Sequence, residues 1–172
     1  MILTVGHSTR PIEEFLSLLA AHGVEQLVDV RTIPKSRRNP QYNTEALAES
    51  LHAAHIQYRH MPGLGGLRHP RKDSINSAWQ NDSFRGYADY MQTPAFEASL
   101  HELIDAAKLR PTVIMCAEAV PWRCHRSLIA DALVARGIEV ADILSTKPAK
   151  AHTLTSFAKV DGEKVTYPGL LP

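Results

Sequence analysis

The chain is short of cysteine, of net charge and of long apolar runs. Two cysteines in 172 residues cannot make a disulfide framework, and they suit a compartment that keeps thiols reduced. Nineteen Lys and Arg face eighteen Asp and Glu, for a net charge of +1. No global basic field therefore advertises nucleic-acid binding, which would need a local patch. No apolar run approaches the roughly 20 residues of a membrane helix. The opening stretch Met1–His7 lacks both the charged leader and the long apolar core of a signal peptide. Internal repeats and low-complexity segments are also missing. These absences predict a cytoplasmic protein without membrane contact. At 44% hydrophobic, the chain can fill the core of one domain.

Regular elements alternate along it. Ile2–Val5 reads as a strand, followed by a helix from Thr9 or Arg10 with Pro11 in its first turn and Gly23 at its end. Ile12, Phe15, Leu16 and Leu19 recur at i, i+3, i+4, i+7 and form its buried stripe. Gln26–Val30 is a second strand, so the first thirty residues make a βαβ unit with a parallel pair. A loop over 31–43, a helix from Asn43 or Thr44 to His55 and a strand over Ile56–His60 follow. The stretch 61–77 is a long Gly- and Pro-rich loop, longer than an ordinary connection and so a functional or mobile one. Trp79–Met91 is weakly helical, and Thr93 with Pro94 opens a stronger helix. Strands over 112–115 and 138–144 flank a helix over 127–136, and Asp161-Gly162 suggests a hairpin within 157–167. The expected fold is α/β: a mostly parallel sheet of about five strands, helices on both faces, and a C-terminal hairpin. An open fragment of a barrel-like βα array is the alternative. Residues 1–145 form the expected domain and 146–172 its tail.

The stretch Thr112–Arg126, TVIMCAEAVPWRCHR, gathers both cysteines with Glu118, His125 and two arginines at one strand-to-helix turn. Ligands of open α/β sheets bind beyond the carboxyl ends of strands. In a parallel sheet those ends share one rim. Here the rim would carry Gly6, His7 and Ser8, then Asp29 and Arg31, then His60 and the Gly65-Gly66 turn, then Cys116, Glu118, Cys124, His125 and Arg126. Buried polar groups cost a few kcal/mol unless paired, so packing alone does not explain the gathering.

The sequences VGHS, VDVR with SRRNP and YN after it, LGG, GYADYM, and CAE followed by P and CHR resemble the bacterial domain-of-unknown-function family 488. The resemblance implies a small cytosolic α/β domain whose motif residues include Ser36, Asn39, Tyr87 and Tyr90 besides the rim residues above. It implies no reaction.

His7, Asp29, Glu118, Cys124 and His125 are the expected catalytic groups. Imidazoles titrate near neutrality, carboxylates orient them, and a cysteine near a helix start among cations is an activated nucleophile. Glu118 is expected to point over the sheet edge toward His7, with Pro121 opening the following helix. Ser8, Arg31, Ser36, Arg37, Asn39, Gly65, Gly66, Tyr87 and Arg126 are expected to bind substrate, the arginines holding an anion. Each has a plainer alternative: a histidine satisfied in the core, Ser8 as a helix cap, an Asp29–Arg31 structural pair, solvated loop arginines, a simple glycine turn, a packed Tyr87. Seven residues separate the cysteines, which fits neither CxxC nor a zinc ribbon. No metal is expected; a metal would draw on Cys116, Cys124, His125 and His7. No cofactor and no oligomeric state is indicated.

Three functional readings follow. The preferred one is a hydrolase or transferase acting on a phosphate-bearing or nucleotide-like substrate, nucleic acid included. The second is a thiol-dependent enzyme using Cys124. The third is a non-catalytic domain that binds a nucleotide or a nucleic-acid end.

Overall fold

Short apolar runs punctuated by polar turns give six strands in one sheet. The computed structural model describes residues 1–169. The strands are β1 (Ile2–Gly6), β2 (Gln26–Asp29), β3 (Gln57–His60), β4 (Thr112–Cys116), β5 (Val140–Asp142) and β6 (Lys150–Ala151). Their order is β3-β2-β4-β1-β5-β6. The first five pair in parallel, as expected. The sixth was not anticipated: it closes the β5 edge antiparallel. Two residues, one of them a lysine, offer too little alternation to read as a strand.

The helices are α1 (Ile12–Ala21), α2 (Thr44–Ala53), α3 (Asp82–Tyr90), α4 (Pro94–Leu109) and α5 (Arg126–Val134). The side chains alternate across the sheet and so build two cores. Val5, Leu27, Val113 and Met115 face Phe15 and Leu19 of α1 and Leu47 and Leu51 of α2. Val28, Val30, Ile114 and Cys116 face Tyr87 of α3, Leu100 and Leu103 of α4, and Leu128 and Ile129 of α5. Pro11 lies just ahead of α1 rather than inside it. Pro121 opens a separate 3-10 turn, Pro121–Arg123, and α5 starts only at Arg126. Asn81 caps α3 by accepting from the N–H groups of Ser83 and Phe84.

The expected hairpin forms from β7 (Lys159–Asp161) and β8 (Lys164–Thr166), turning at Gly162 with φ +63°. It is anchored beside the sheet: Tyr167 donates its hydroxyl to buried Asp131 Oδ2 at 2.7 Å, and His152 Nε2 lies 2.8 Å from Asp131 Oδ1. The tail expected over 146–172 therefore supplies β6 and this hairpin, while its last three residues lie outside the described ones.

The arrangement places one rim. Gly6 is in register with Cys116, and Asp29 with both Met115 and His60. Beyond the strands the ladder continues, with His7 N–H donating to the Cys116 carbonyl and Ser8 N–H to that of Ala117, both at 2.9 Å. The connections leaving β1 and β4 depart onto opposite faces, toward α1 and α5. Between them a crevice opens at the carboxyl edge, where open α/β sheets bind ligands.

Candidate functional site

The crevice is a cleft of about 490 Å³. Its floor is His7, Arg31, Cys116, Cys124 and His125; its walls include Thr32, Ile33, Gly66, Leu67, Phe84 and Tyr87; Lys35, Asn81, Ser83, Ala117, Glu118 and Arg123 stand around its mouth. Another cavity of about 500 Å³ lies between α4, α5 and the hairpin. Its Arg136 is ion-paired to Glu97 and Glu163 and neither a cysteine nor a histidine lines it, whereas the cleft has two of each.

Gly6 starts the floor. A Cβ there would lie 1.7 Å from the Glu118 carbonyl oxygen, so only glycine lets the turn after β4 fold across β1. That turn brings the Glu118 and Ala119 carbonyls onto Arg126. The guanidinium is fully buried. Its Nη1 donates to Cys116 Sγ at 2.8 Å and to the Glu118 carbonyl, and Nη2 donates to the Ala119 carbonyl at 3.0 Å. Nε donates to Thr4 Oγ1 at 3.2 Å, and the Thr4 hydroxyl donates in turn to Asp142 Oδ1. Thr4 and Asp142 are register partners on β1 and β5. No carboxylate touches Arg126 directly among the described residues.

The Arg126 guanidinium on Cys116 Sγ favours the negative charge on that sulfur. Burial pushes the Cys116 thiol up, but hydrogen bonding from Cys124 and the Arg126 charge outweigh it, and the net shift is downward. Cys124 moves the other way: the hydrogen bond to Cys116 and burial hold its thiol well above the ordinary range. The sequence neighbourhood favoured Cys124, because Arg123 and His125 flank it. In space Arg126 reaches back to Cys116. Both cysteines are free and buried.

Two imidazoles lie beside the thiols. His7 stacks on Tyr42 with ring centroids 4.0 Å apart. Its Nδ1 lies 2.7 Å from the Ser8 carbonyl oxygen, so Nδ1 carries the proton and Nε2 is a bare acceptor. Nε2 is buried and has no hydrogen-bond partner. Burial lowers the His7 pKa to about 4. His125 packs against Tyr87 at 4.8 Å; its Nε2 donates to the Val30 carbonyl at 3.1 Å, which leaves Nδ1, 3.7 Å from Cys124 Sγ, as an acceptor. Burial lowers its pKa to about 4 also. Gly66 makes room for this ring, since a Cβ there would come within 3.2 Å of Nδ1. Tyr87 donates its hydroxyl to the Leu64 carbonyl.

Several expected site residues are engaged elsewhere. Arg31 lines the cleft, but its guanidinium makes a two-point ion pair with buried Asp29, at 2.9 and 2.8 Å, and donates to the Tyr42 carbonyl. Tyr58 donates to the same Asp29 carboxylate at 2.6 Å. This is the structural pair that the strand spacing allowed, and the hydrogen bonds to the Asp29 carboxylate come from Arg31 and Tyr58. Arg126 is held behind the floor and not offered to a ligand. Arg37 is exposed and outside the cleft lining. Ser36 and Asn39 shape the loop: Ser36 Oγ accepts from Asn39 N–H, and Asn43 Oδ1 from Ser36 N–H. Ser8 adopts φ +53° at the turn and does not line the cleft. Gly65 packs on Thr32, where a Cβ would come within 2.4 Å of its hydroxyl oxygen.

Glu118 departs most from expectation. Its carboxylate is exposed at the mouth and makes no hydrogen bond to His7; its backbone carbonyl is what the site uses. The reason is the 3-10 turn at Pro121, which ends β4 in a loop folded over Gly6 rather than in a helix. Nor do the conditional metal ligands converge: among the described residues no three His, Cys, Asp or Glu side chains gather as a metal requires. Sequence reasoning assigned Lys35 no role of its own, marked Arg123 only as a cation beside Cys124, and left Thr4 and Asp142 out. Thr4 and Asp142 did carry a signal, as polar residues inside two otherwise apolar strands.

No curated protein and no solved structure matches the chain. A family model described as "Domain of unknown function DUF488" matches residues 11–133. The match runs from the start of α1 nearly to the end of α5, well over half the chain and every cleft segment except the β1 turn, and on that extent the chain belongs to the DUF488 family.

Proposed function

We propose that the protein is a thiol-dependent enzyme acting on a phosphate-bearing, nucleotide-like substrate, with the Cys116 thiolate as nucleophile. The observation that carries this is Arg126. A fully buried guanidinium without a carboxylate leaves an unpaired charge costing several kcal/mol. An ionised Cys116 supplies the missing negative charge at 2.8 Å. The thiolate is the reactive form of cysteine. The Glu118 carbonyl and the Arg126 guanidinium enclose it on the floor of the cleft. His7 Nε2, neutral and unpaired, is a ready acceptor for a proton from water or from a substrate hydroxyl.

Substrate class follows from the mouth. Lys35 and Arg123 are exposed there with no acidic partner among the described residues, so they are the cations placed to meet a phosphate, in place of Arg31 and Arg37. Phe84, half-buried in the wall, offers an aromatic surface for a flat ring, with buried Tyr87 behind it.

Peptide mapping after brief iodoacetamide labelling at about neutral pH tests the reading. Cys116 is labelled before Cys124, pyrophosphate slows the labelling, and Lys35→Ala or Arg123→Ala weakens that protection by about tenfold, the scale of a lost charge-assisted bond. Preferential labelling of Cys124 overturns the nucleophile assignment. Labelling indifferent to pyrophosphate overturns the phosphate assignment. Protection without turnover of any phosphate-bearing substrate would make the domain a binder.

A further inference from the structure

The two sulfurs at the floor are unlike, and one residue touches both. Arg126 Nη1 donates to Cys116 Sγ at 2.8 Å, while the Arg126 backbone N–H donates to Cys124 Sγ at 3.4 Å. Both sulfurs therefore lie against the same arginine, one on its guanidinium and the other on its backbone N–H. Beside Cys124 Sγ lies the bare Nδ1 of His125, 3.7 Å away. One cysteine is thus arranged to attack, and its neighbour keeps a proton with an acceptor beside it. The chain between them, residues 117–123, contains only a 3-10 turn, so the movement that brings the sulfurs to the bonding distance of about 2.05 Å falls on a loop.

We propose that Cys116 and Cys124 form a two-electron redox pair that reduces hydroperoxides, Cys116 attacking and Cys124 resolving. The proposal rests on the thiolate reading of Cys116 given above. In the first step the thiolate attacks the terminal oxygen of the hydroperoxide. A sulfur–oxygen bond forms, the oxygen–oxygen bond breaks, and the alkoxide or hydroxide that leaves takes a proton from water. Cys116 is oxidised to the sulfenic acid and the peroxide receives two electrons. In the second step His125 Nδ1 takes the Cys124 proton and the Cys124 sulfur attacks Cys116. The disulfide forms, the sulfur–hydroxyl bond breaks, and the departing hydroxide recovers the proton as water. A soluble thiol returns the pair to the reduced state by exchange.

The surroundings set the direction and the oxidant. Cys116 is 3% exposed and Cys124 6%, so the oxidant must be as small as hydrogen peroxide or enter through the cleft. Oxidation removes the counter-charge of Arg126, which stabilises the reduced form. The disulfide is therefore a readily reduced, oxidising one.

The test treats the full-length reduced protein with hydrogen peroxide, then denatures it, blocks free thiols and maps peptides by mass. The wild type acquires an intramolecular Cys116–Cys124 disulfide. Cys124→Ser accumulates a sulfenic acid at Cys116 that a 1,3-diketone probe traps. Cys116→Ser does neither, and its remaining thiol oxidises about tenfold or more slowly, as expected of a protonated thiol against a thiolate. Because Cys116→Ser removes the partner of Arg126 and could unfold, the Cys124→Ser result stands as the independent arm. Sulfenic acid at Cys124, or disulfides only between molecules, overturns the proposal. Iodoacetamide labelling against pH separates the two claims. A Cys116 that labels as an ordinary thiol ends the thiolate reading as well. A Cys116 that labels as a thiolate but forms no disulfide ends the redox proposal alone.

Discussion

A double-mutant cycle on Cys116 and Arg126 measures the interaction at the heart of the site. Cys116→Ala leaves a fully buried guanidinium with carbonyls and a threonine hydroxyl as its partners. Breaking one side of a buried ion pair costs about 3–5 kcal/mol. Arg126→Met keeps most of the volume but strands the Cys116 sulfur and two carbonyls, at a cost of about 3–5 kcal/mol by the same rule. If the pair is ionic, the double variant falls short of the sum by about 2 kcal/mol, within the usual coupling range for residues in contact. Urea unfolding gives the four stabilities. The pH dependence has a defined sign. The folded-state pKa of Cys116 lies below its unfolded value, so the unfolded chain binds more protons between the two. The stabilisation is present above the ordinary thiol range and is lost as pH falls through the lowered folded value. Cys116→Ala should lack that loss. A coupling within about 0.3 kcal/mol of zero, the additivity expected of independent sites, together with an unchanged pH slope, would refute the ionic pair.

Three further outcomes are expected. His7 and His125, with pKa values lowered to about 4, should show ring NMR signals that stay put from about pH 8 to about pH 5; the unfolded chain takes up those protons first, so stability falls as pH drops from about 6.5 toward 4, and a midpoint near 6.5 for either ring would contradict its burial as a neutral base. Gly6→Ala should cost about 1–3 kcal/mol or more, because its Cβ meets the Glu118 carbonyl, and should slow Cys116 alkylation by displacing that carbonyl from Arg126; unchanged unfolding and labelling would show that the turn yields freely. Thr4→Val should strip Arg126 Nε and Asp142 of their shared partner and move the Cys116 alkylation profile to higher pH, with Thr4→Ser restoring it; a loss of stability without any move in the profile would leave Thr4 a packing residue.

Much of the architecture was legible because each parallel strand is a short apolar run ending in polar residues. Leu27-Val28 before Asp29 and Val113–Met115 before Cys116 place those ends on one rim through register alone. Asp161-Gly162 likewise announces its hairpin. Legibility stopped where chemistry depends on which neighbour a side chain meets. Arg126 at a helix start reads as a solvated or anion-binding cation, yet the turn over Gly6 buries it against Cys116. Glu118 reads as a carboxylate base, and the fold uses its carbonyl. Of the cations between 31 and 38, the hydrogen bond from Ser36 N–H to Asn43 sets the loop's path, leaving Lys35 at the cleft and Arg37 outside it. Spacing in sequence carries none of these contacts, because each depends on how a loop folds back on itself or across Gly6.

If Arg126 requires a counter-charge, Cys116 carries it as an anion at neutral pH. Ultraviolet thiolate absorbance, followed against pH in the folded protein, tests it most directly. One thiolate transition is expected below the ordinary thiol range, retained in Cys124→Ser, abolished in Cys116→Ser and shifted upward in Arg126→Met. A first transition at or above about 8.5, the value for a free cysteine, or one that disappears with Cys124 instead of Cys116, would contradict it.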